Sequence, residues 1–285
     1  MSIKDITIII ASYKSKEKAI NCLESIDNQC NVIIAENSND LNIKENLEKK
    51  YKNVECILTG SNLGYGKANN IALKKVKTKY ALILNPDTTL SKSTLQNLIK
   101  VSNLIKDFAI LAPEEQENKR KISINNKDVF EPKLVKNVKG FAMFFKMSEF
   151  IQVGFFDEDF FLYFEDIDLC KRLNKKKKKI YLVANLQIEH LGAQSSDPSI
   201  KRERELTRNW HWMWSTFHYH KKYKGFFISL VIIFPKFFSS AIKILIYSLL
   251  MNKNKKEIYQ MRFEGIINSI LGKSSWYRPK IKFND

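Results

Sequence analysis

The chain has 285 residues, enough for one large domain or a domain with an appendage. An apolar share of 44%, with 12% aromatic, supplies a core and excludes global disorder. The formal net charge of +18 comes mostly from lysine. It admits phosphorylated substrates, an anionic membrane or nucleic acid, and argues against a base reader built on arginine forks.

Cys22, Cys30, Cys56 and Cys170 are scattered without a CxxC pair, which fits a reducing compartment and no structural zinc. Ile6 to Ile10 is too short an apolar run for a signal peptide, so a cytoplasmic-side protein is expected.

In chain order, Ile3 to Ala11 reads as a buried strand and Ser12-Tyr13-Lys14-Ser15 as the loop after it. Lys16 to Asp27 places Ala19, Ile20, Leu23 and Ile26 on one helix face. A second strand, Val32 to Ala35, runs into the polar loop Glu36-Asn37-Ser38-Asn39-Asp40. A helix from Leu41 to Tyr51 and a strand from Val54 to Leu58 follow. This alternation is the rhythm of a parallel sheet with crossover helices. Gly60 to Asn70 (GSNLGYGKANN) precedes a helix through Lys77, and its backbone N–H groups read as a diphosphate cradle.

Tyr80 to Leu84 (YALIL) is apolar throughout, as a strand covered on both faces would be, and Pro86 ends it because it cannot donate to a ladder. Asp87 is thereby left at the carboxyl end of a core strand, where open α/β sheets place ligands. A carboxylate there suits a divalent cation held against a phosphate, although Asn85-Pro86-Asp87 is also ordinary turn chemistry. A helix covers about Ser91 to Ile105, and residues 114–137 read as irregular. Val138 to Lys146 returns to strand character, with Gly140 marking a close approach by a ligand or another backbone.

Glu165 and Asp166 open a helix reaching about Asn174. They serve either the helix dipole or, as general base, an acceptor hydroxyl. Asp166 is the first candidate base and Glu165 the second. Asp168, two residues on, diverges from Asp166 and is expected to cap or face solvent. Ile180 to Ala184 is a strand. His190, after Ile188-Glu189, is either structural or a further ligand for a cation on Asp87.

Taken together, SYKS after the first strand, ENSND after the second, NLGYGKANN, LNPD, GFFDEDFFLYFEDIDLC and EHLG resemble the family 2 inverting glycosyltransferases. The resemblance is to their bacterial rhamnosyltransferase-like branch and covers about residues 3–225. It implies a GT-A fold, α/β, with a mostly parallel central sheet flanked by helices. It also implies a nucleotide-sugar donor, a glycan or lipid-linked glycan acceptor in cell-surface polysaccharide synthesis, and a divalent cation, Mn2+ or Mg2+. By that resemblance Ala11 and Tyr13 line the nucleoside pocket and Glu36, where the family more often has Asp, accepts from the base edge. Asn62, Gly64 and Lys67 lie by the nucleotide and its phosphates, and Asn69 stands where many relatives carry Arg. Asn85 and Asp87 stand for the DxD motif, Gly140 lies on the glycine strand, Asp166 matches the catalytic base and His190 the late metal ligand.

The implied domains are a glycosyltransferase domain, 1–224, and a C-terminal helical segment, 225–285. Lys201 to Lys224 mixes Arg202, Arg204 and Arg208 with Trp210, Trp212 and Trp214, a composition that suits nucleic acid or a membrane interface. Gly225 to Met251 is strongly apolar, interrupted by Pro235, Lys236 and Lys243. It reads as a helix or kinked pair lying peripherally on an anionic membrane surface, with an oligomer interface or a helical cap as the other reading. A catalytically silent glycan-binding subunit and a basic RNA-binding protein are the rival functions. The transferase reading expects no nucleic acid.

Overall fold

The structure, a computed structural model, describes residues 2–114, 130–184, 186, 188–190 and 198–278. Contacts divide the chain into two compact units. The first comprises Met1–Leu63, Lys67–Phe156 and Asp166–Ser196, and the second Gly64–Gly66, Asp157–Glu165 and Asp197–Asp285.

The first unit opens with β1 (Ile6–Ser12), α1 (Lys16–Glu24), β2 (Asn31–Glu36), α2 (Leu41–Lys50) and β3 (Val54–Leu58). Asp40 caps α2 by accepting from the Ile43 N–H at 3.1 Å. Then come α3 (Tyr65–Leu73), β4 (Tyr80–Leu84), β5 (Thr88–Leu90), α4 (Thr94–Leu104), β6 (Ile110–Pro113), β7 (Pro132–Leu134) and β8 (Ala142–Lys146). α5 (Glu165–Lys175), β9 (Ile180–Val183) and β10 (Ile188–His190) follow. The main sheet has the order β3-β2-β1-β4-β8-β6-β9-β7. β3, β2, β1 and β4 run parallel, β8 is antiparallel between β4 and β6, and β6 pairs β9 parallel.

β1 and β4 are central, which explains their unbroken apolar runs. Ile6, Ile8, Ile9, Ile10, Ala81, Ile83 and Leu84 are fully buried, and each large aliphatic side chain so covered contributes about 1.5–3 kcal/mol. The four cysteines are free and buried, and burial pushes the Cys30, Cys56 and Cys170 thiols up to about 12.

Several expected boundaries move. The helix expected through Lys77 ends at Leu73, and the strand expected from Val138 begins at Ala142. β6, β5 and β10 lie outside the expected strands. β7 falls in the stretch read as irregular, of which 115–129 lie outside the described residues.

The second unit carries α6 (Lys201–Lys224), α7 (Phe226–Leu249) and α8 (Lys253–Ile270). α7 runs as one helix through Pro235, not as two pieces. α8, within the segment expected to be helical but without bounds of its own there, packs against both α6 and α7. Trp210, Trp214, Phe160 and Tyr277 form one small core, and Met213, Phe217, Ile233 and Ile266 another.

Candidate active site

In the first unit the site is assembled around the end of β4. Asn85 donates its N–H to the Phe141 carbonyl at 2.8 Å and accepts from the Thr88 N–H and hydroxyl, which closes the Asn85-Pro86-Asp87 turn. β5 leaves that turn and pairs antiparallel with β10, setting His190 opposite Thr88. The pairing delivers His190 to Asp87, with Nε2 at 3.5 Å from Oδ1. The His190 ring stacks on Phe141 at 4.7 Å with 8° between planes, which fixes its orientation.

Both Asp87 oxygens and His190 Nε2 are buried, and none has a hydrogen-bond partner among the described residues. A carboxylate buried this deeply without donors is costly, so its persistence points to a missing cationic partner. Two carboxylate oxygens and an imidazole nitrogen form a donor set suited to Mn2+ or Mg2+ beside phosphate oxygens. The residues present therefore fit the cation.

Phe141 also links this pair to Asp166. The residue before it, Gly140, donates its N–H to Asp166 Oδ2 at 3.0 Å, while Ile167 donates to Oδ1 at 2.8 Å. Two backbone donors orient the carboxylate. Asp166 keeps some solvent access, yet its surroundings raise its pKa, because desolvation outweighs the Ile167 and Gly140 hydrogen bonds. Gly140 thus meets a neighbouring carboxylate within the chain itself.

Asp168 departs from the expected cap or solvent position. It is fully buried and accepts from Arg172 Nε at 2.7 Å, while the Arg172 guanidinium also donates to the Val153, Gly154 and Phe155 carbonyls. This pair braces a loop. Glu165, also buried, occupies the first position of α5.

At the other parallel strands, Ala11 pairs in register with Ala35 and Ser12 with Glu36. Glu36 is fully buried. Its Oε1 accepts from the Ser38 N–H at 2.8 Å and from the Ser38 hydroxyl, and Oε2 has no partner among the described residues. Burial raises its pKa against the pull of those donors. Tyr13 is hydrogen-bonded to Asn62, so two expected nucleoside neighbours meet.

The loop before α3 is a poorer cradle than expected. The Gly60 and Leu63 N–H groups donate to Asn39 and Asn37 side chains, and Tyr65 N–H donates to the Phe161 carbonyl at 3.0 Å. Gly64 has φ +83°, and a Cβ there would lie 2.2 Å from the Phe161 carbonyl oxygen, so close backbone packing requires the glycine. Lys67 sits in the first turn of α3.

In the second unit, the basic and aromatic stretch of α6 is mostly interior. Trp210, His211, Trp214 and Phe217 are buried, and burial lowers the His211 pKa to about 3. Arg208 Nε donates to the Tyr163 hydroxyl at 2.5 Å, Trp212 packs edge-on to Tyr163, and Ser215 donates to the Leu162 carbonyl. These contacts hold Tyr163 and Phe164 at φ 69° and 70°, costly for aromatic residues. The sequence reading missed this packing role, although Trp210, Trp214 and Phe217 at i, i+4 and i+7 carried its signal. Asp157, Asp159 and His218 also converge, but the Lys222 ammonium already sits 2.6 Å from Asp157.

Comparison with known proteins agrees with this architecture. A hexosyltransferase of low-salt glycan biosynthesis (Agl10) from Haloferax volcanii is 24% identical over 199 residues, 62% of this chain and 64% of that protein. The match therefore spans just under two thirds of that relative. Rhamnosyltransferase WbbL of Escherichia coli is 26% identical over 247 residues, 74% of this chain and 91% of the relative. An N-acetylglucosaminyl-diphospho-decaprenol L-rhamnosyltransferase of Mycobacterium tuberculosis is 25% identical over 213 residues, 59% of this chain and 69% of the relative. A mannosyltransferase from Pyrobaculum calidifontis, solved with GDP-Man and Mn2+, superposes with a TM-score of 0.58 at 10% identity. That superposition covers 95% of this chain and 88% of the other and shows the shared GT-A fold. The Glycosyl transferase family 2 model matches residues 7–170, more than half of the chain, from β1 through the Asp87 turn into α5, and the chain belongs to that family.

Proposed function

We propose that this protein is an inverting glycosyltransferase. It moves a deoxyhexose, rhamnose first, from a nucleoside-diphosphate donor to a hydroxyl of a lipid-linked or growing cell-surface glycan. The observation that carries this reading is the orphaned trio of Asp87 Oδ1, Asp87 Oδ2 and His190 Nε2 at the tip of the central strand. Asp87 and His190 would hold a divalent cation, which neutralises charge on a diphosphate leaving group.

Asp166 takes the proton of the acceptor hydroxyl. Its raised pKa makes it a stronger base than an ordinary aspartate, and the Gly140 and Ile167 N–H groups keep it aimed. The activated oxygen attacks the anomeric carbon from the face opposite the diphosphate, the glycosidic bond breaks as the new bond forms, and the configuration inverts. No enzyme nucleophile is needed. Ala11, Tyr13, Asn62 and Glu36 receive the nucleoside. Glu36 is the longer carboxylate arm, so it takes part in selecting the base. A lipid-linked acceptor places the enzyme peripherally on the inner membrane face.

The experiment is donor turnover with Mn2+ across UDP-, GDP- and dTDP-sugars. The reading expects one donor to be consumed with an inverted product and Asp87→Ala and Asp166→Asn to lose that turnover. Full activity in either variant overturns it.

A further inference from the structure

α7 is long and apolar enough to cross a membrane by length and composition, yet its surroundings dictate another orientation. Ser229, Ile233 and Ser240 are buried and turn one stripe of α7 toward its helical partners. Phe237 stacks on Phe263 of α8, and Tyr247 on Tyr259. Lys243 also lies on this side, over the Tyr259 ring at 4.8 Å.

The opposite stripe, Phe227, Val231, Phe234, Phe238, Ile242, Leu245 and Leu249, recurs at intervals of three and four and is exposed throughout. No charged residue falls on it. A helix crossing the bilayer would drag α8, with Lys255, Lys256, Glu257, Arg262 and Glu264, into hydrocarbon, where each charge is expensive.

From Leu206 to Lys256 there are nine Lys or Arg and no Asp or Glu. Lys221 and Lys224 bracket α7 at one end, and Lys253, Lys255 and Lys256 at the other. A second copy docked on this stripe would bring lysine clusters against lysine clusters. An anionic lipid surface instead supplies both an apolar layer for the stripe and phosphates for the lysines.

We propose that α7 lies in the plane of an anionic bilayer, with the Phe227-to-Leu249 stripe sunk below the headgroups and the flanking lysines on lipid phosphates. This rests on the peripheral-membrane part of the reading above and gives it a face. Ser229, Ile233 and α8 then remain on the protein side, and a lipid-linked acceptor reaches the enzyme by diffusing in the same layer.

The test is flotation of the full chain with vesicles of phosphatidylcholine containing phosphatidylglycerol, read without any donor. The unsubstituted protein floats with the vesicles, more weakly at high salt. Phe234→Glu with Phe238→Glu loses at least about tenfold in vesicle affinity, since two charges replace two buried rings. Leu104→Glu, an equally exposed apolar position on α4, leaves flotation unchanged. Alkaline carbonate releases the bound protein. Retention after carbonate, equal flotation of the double variant, or a lipid-free dimer that the double variant dissolves would each overturn the proposal. Donor turnover on a water-soluble acceptor, measured in parallel, is unchanged in the double variant. Its loss in the unsubstituted protein would fault the transferase reading and leave the membrane result standing.

Discussion

Asp168 and Asp87 are both buried carboxylates set beside a nitrogen-bearing side chain, and the two surroundings differ in every other respect. Arg172 meets Asp168 at 2.7 Å and its remaining donors reach three loop carbonyls. His190 stands 3.5 Å from Asp87, and neither side chain completes its hydrogen bonds among the described residues. A closed network of this kind stabilises a fold, because every polar group removed from water has found a partner. An open one at the end of a core strand costs stability and keeps its lone pairs for something that arrives later. Charge and burial alone do not separate the two aspartates; the state of their hydrogen bonds does.

Substitution should split them cleanly. Asp87→Ala is expected to lose at least about 10²–10³-fold in kcat, the scale of removing a group that stabilises transition-state charge. Its urea midpoint should hold or rise, because a buried carboxylate without donors has gone. Asp168→Ala should do the reverse, costing about 3–5 kcal/mol in urea unfolding by leaving Arg172 without its counter-ion.

Asp166 sharpens the contrast, since its hydrogen bonds are made but its proton is not settled. Asp166→Asn should lower kcat about 10²–10⁴-fold with donor binding retained. Because desolvation raises its pKa, the acid limb of kcat should lie above the ordinary aspartate value of about 3.9. The sign for stability is opposite to the common carboxylate case. The contribution of this group to the fold is complete below the unfolded pKa and falls as pH rises through the raised one. A limb at or below the ordinary value would remove Asp166 from the base role.

His190→Asn is the mildest of the set. It should weaken Mn2+ dependence and be rescued by added Mn2+, while kcat at saturating cation changes little. Failure of rescue would return His190 to a purely structural part, stacked on Phe141.

How far these features could be read from the sequence depends on how local their causes are. Asp87 was visible because five apolar residues and a proline mark a strand end without help from the rest of the chain. The residues offered His190 as one of two readings, a structural imidazole or a further ligand beside Asp87, but the pairing that brings it there was not visible, because β5 and β10 are three residues each and about a hundred positions apart. Asp168 was misplaced through its relation to Asp166, whereas Arg172 at i+4 held the answer. In α6 the lysines and arginines masked a buried Trp210, Trp214 and Phe217 face. The loop before α3 looked like a phosphate cradle because its amides appeared free, and Asn37, Asn39 and the Phe161 carbonyl take three of them.

The measurement that bears most directly on the open pair is Mn2+ binding by electron paramagnetic resonance, with UDP, GDP and dTDP each supplied in turn. With one of these nucleotides the unsubstituted protein should immobilise Mn2+, and Asp87→Ala should leave the ion free in solution while Asp168→Asn still binds it. Mn2+ held equally by Asp87→Ala would contradict the assignment of the strand tip as the cation site.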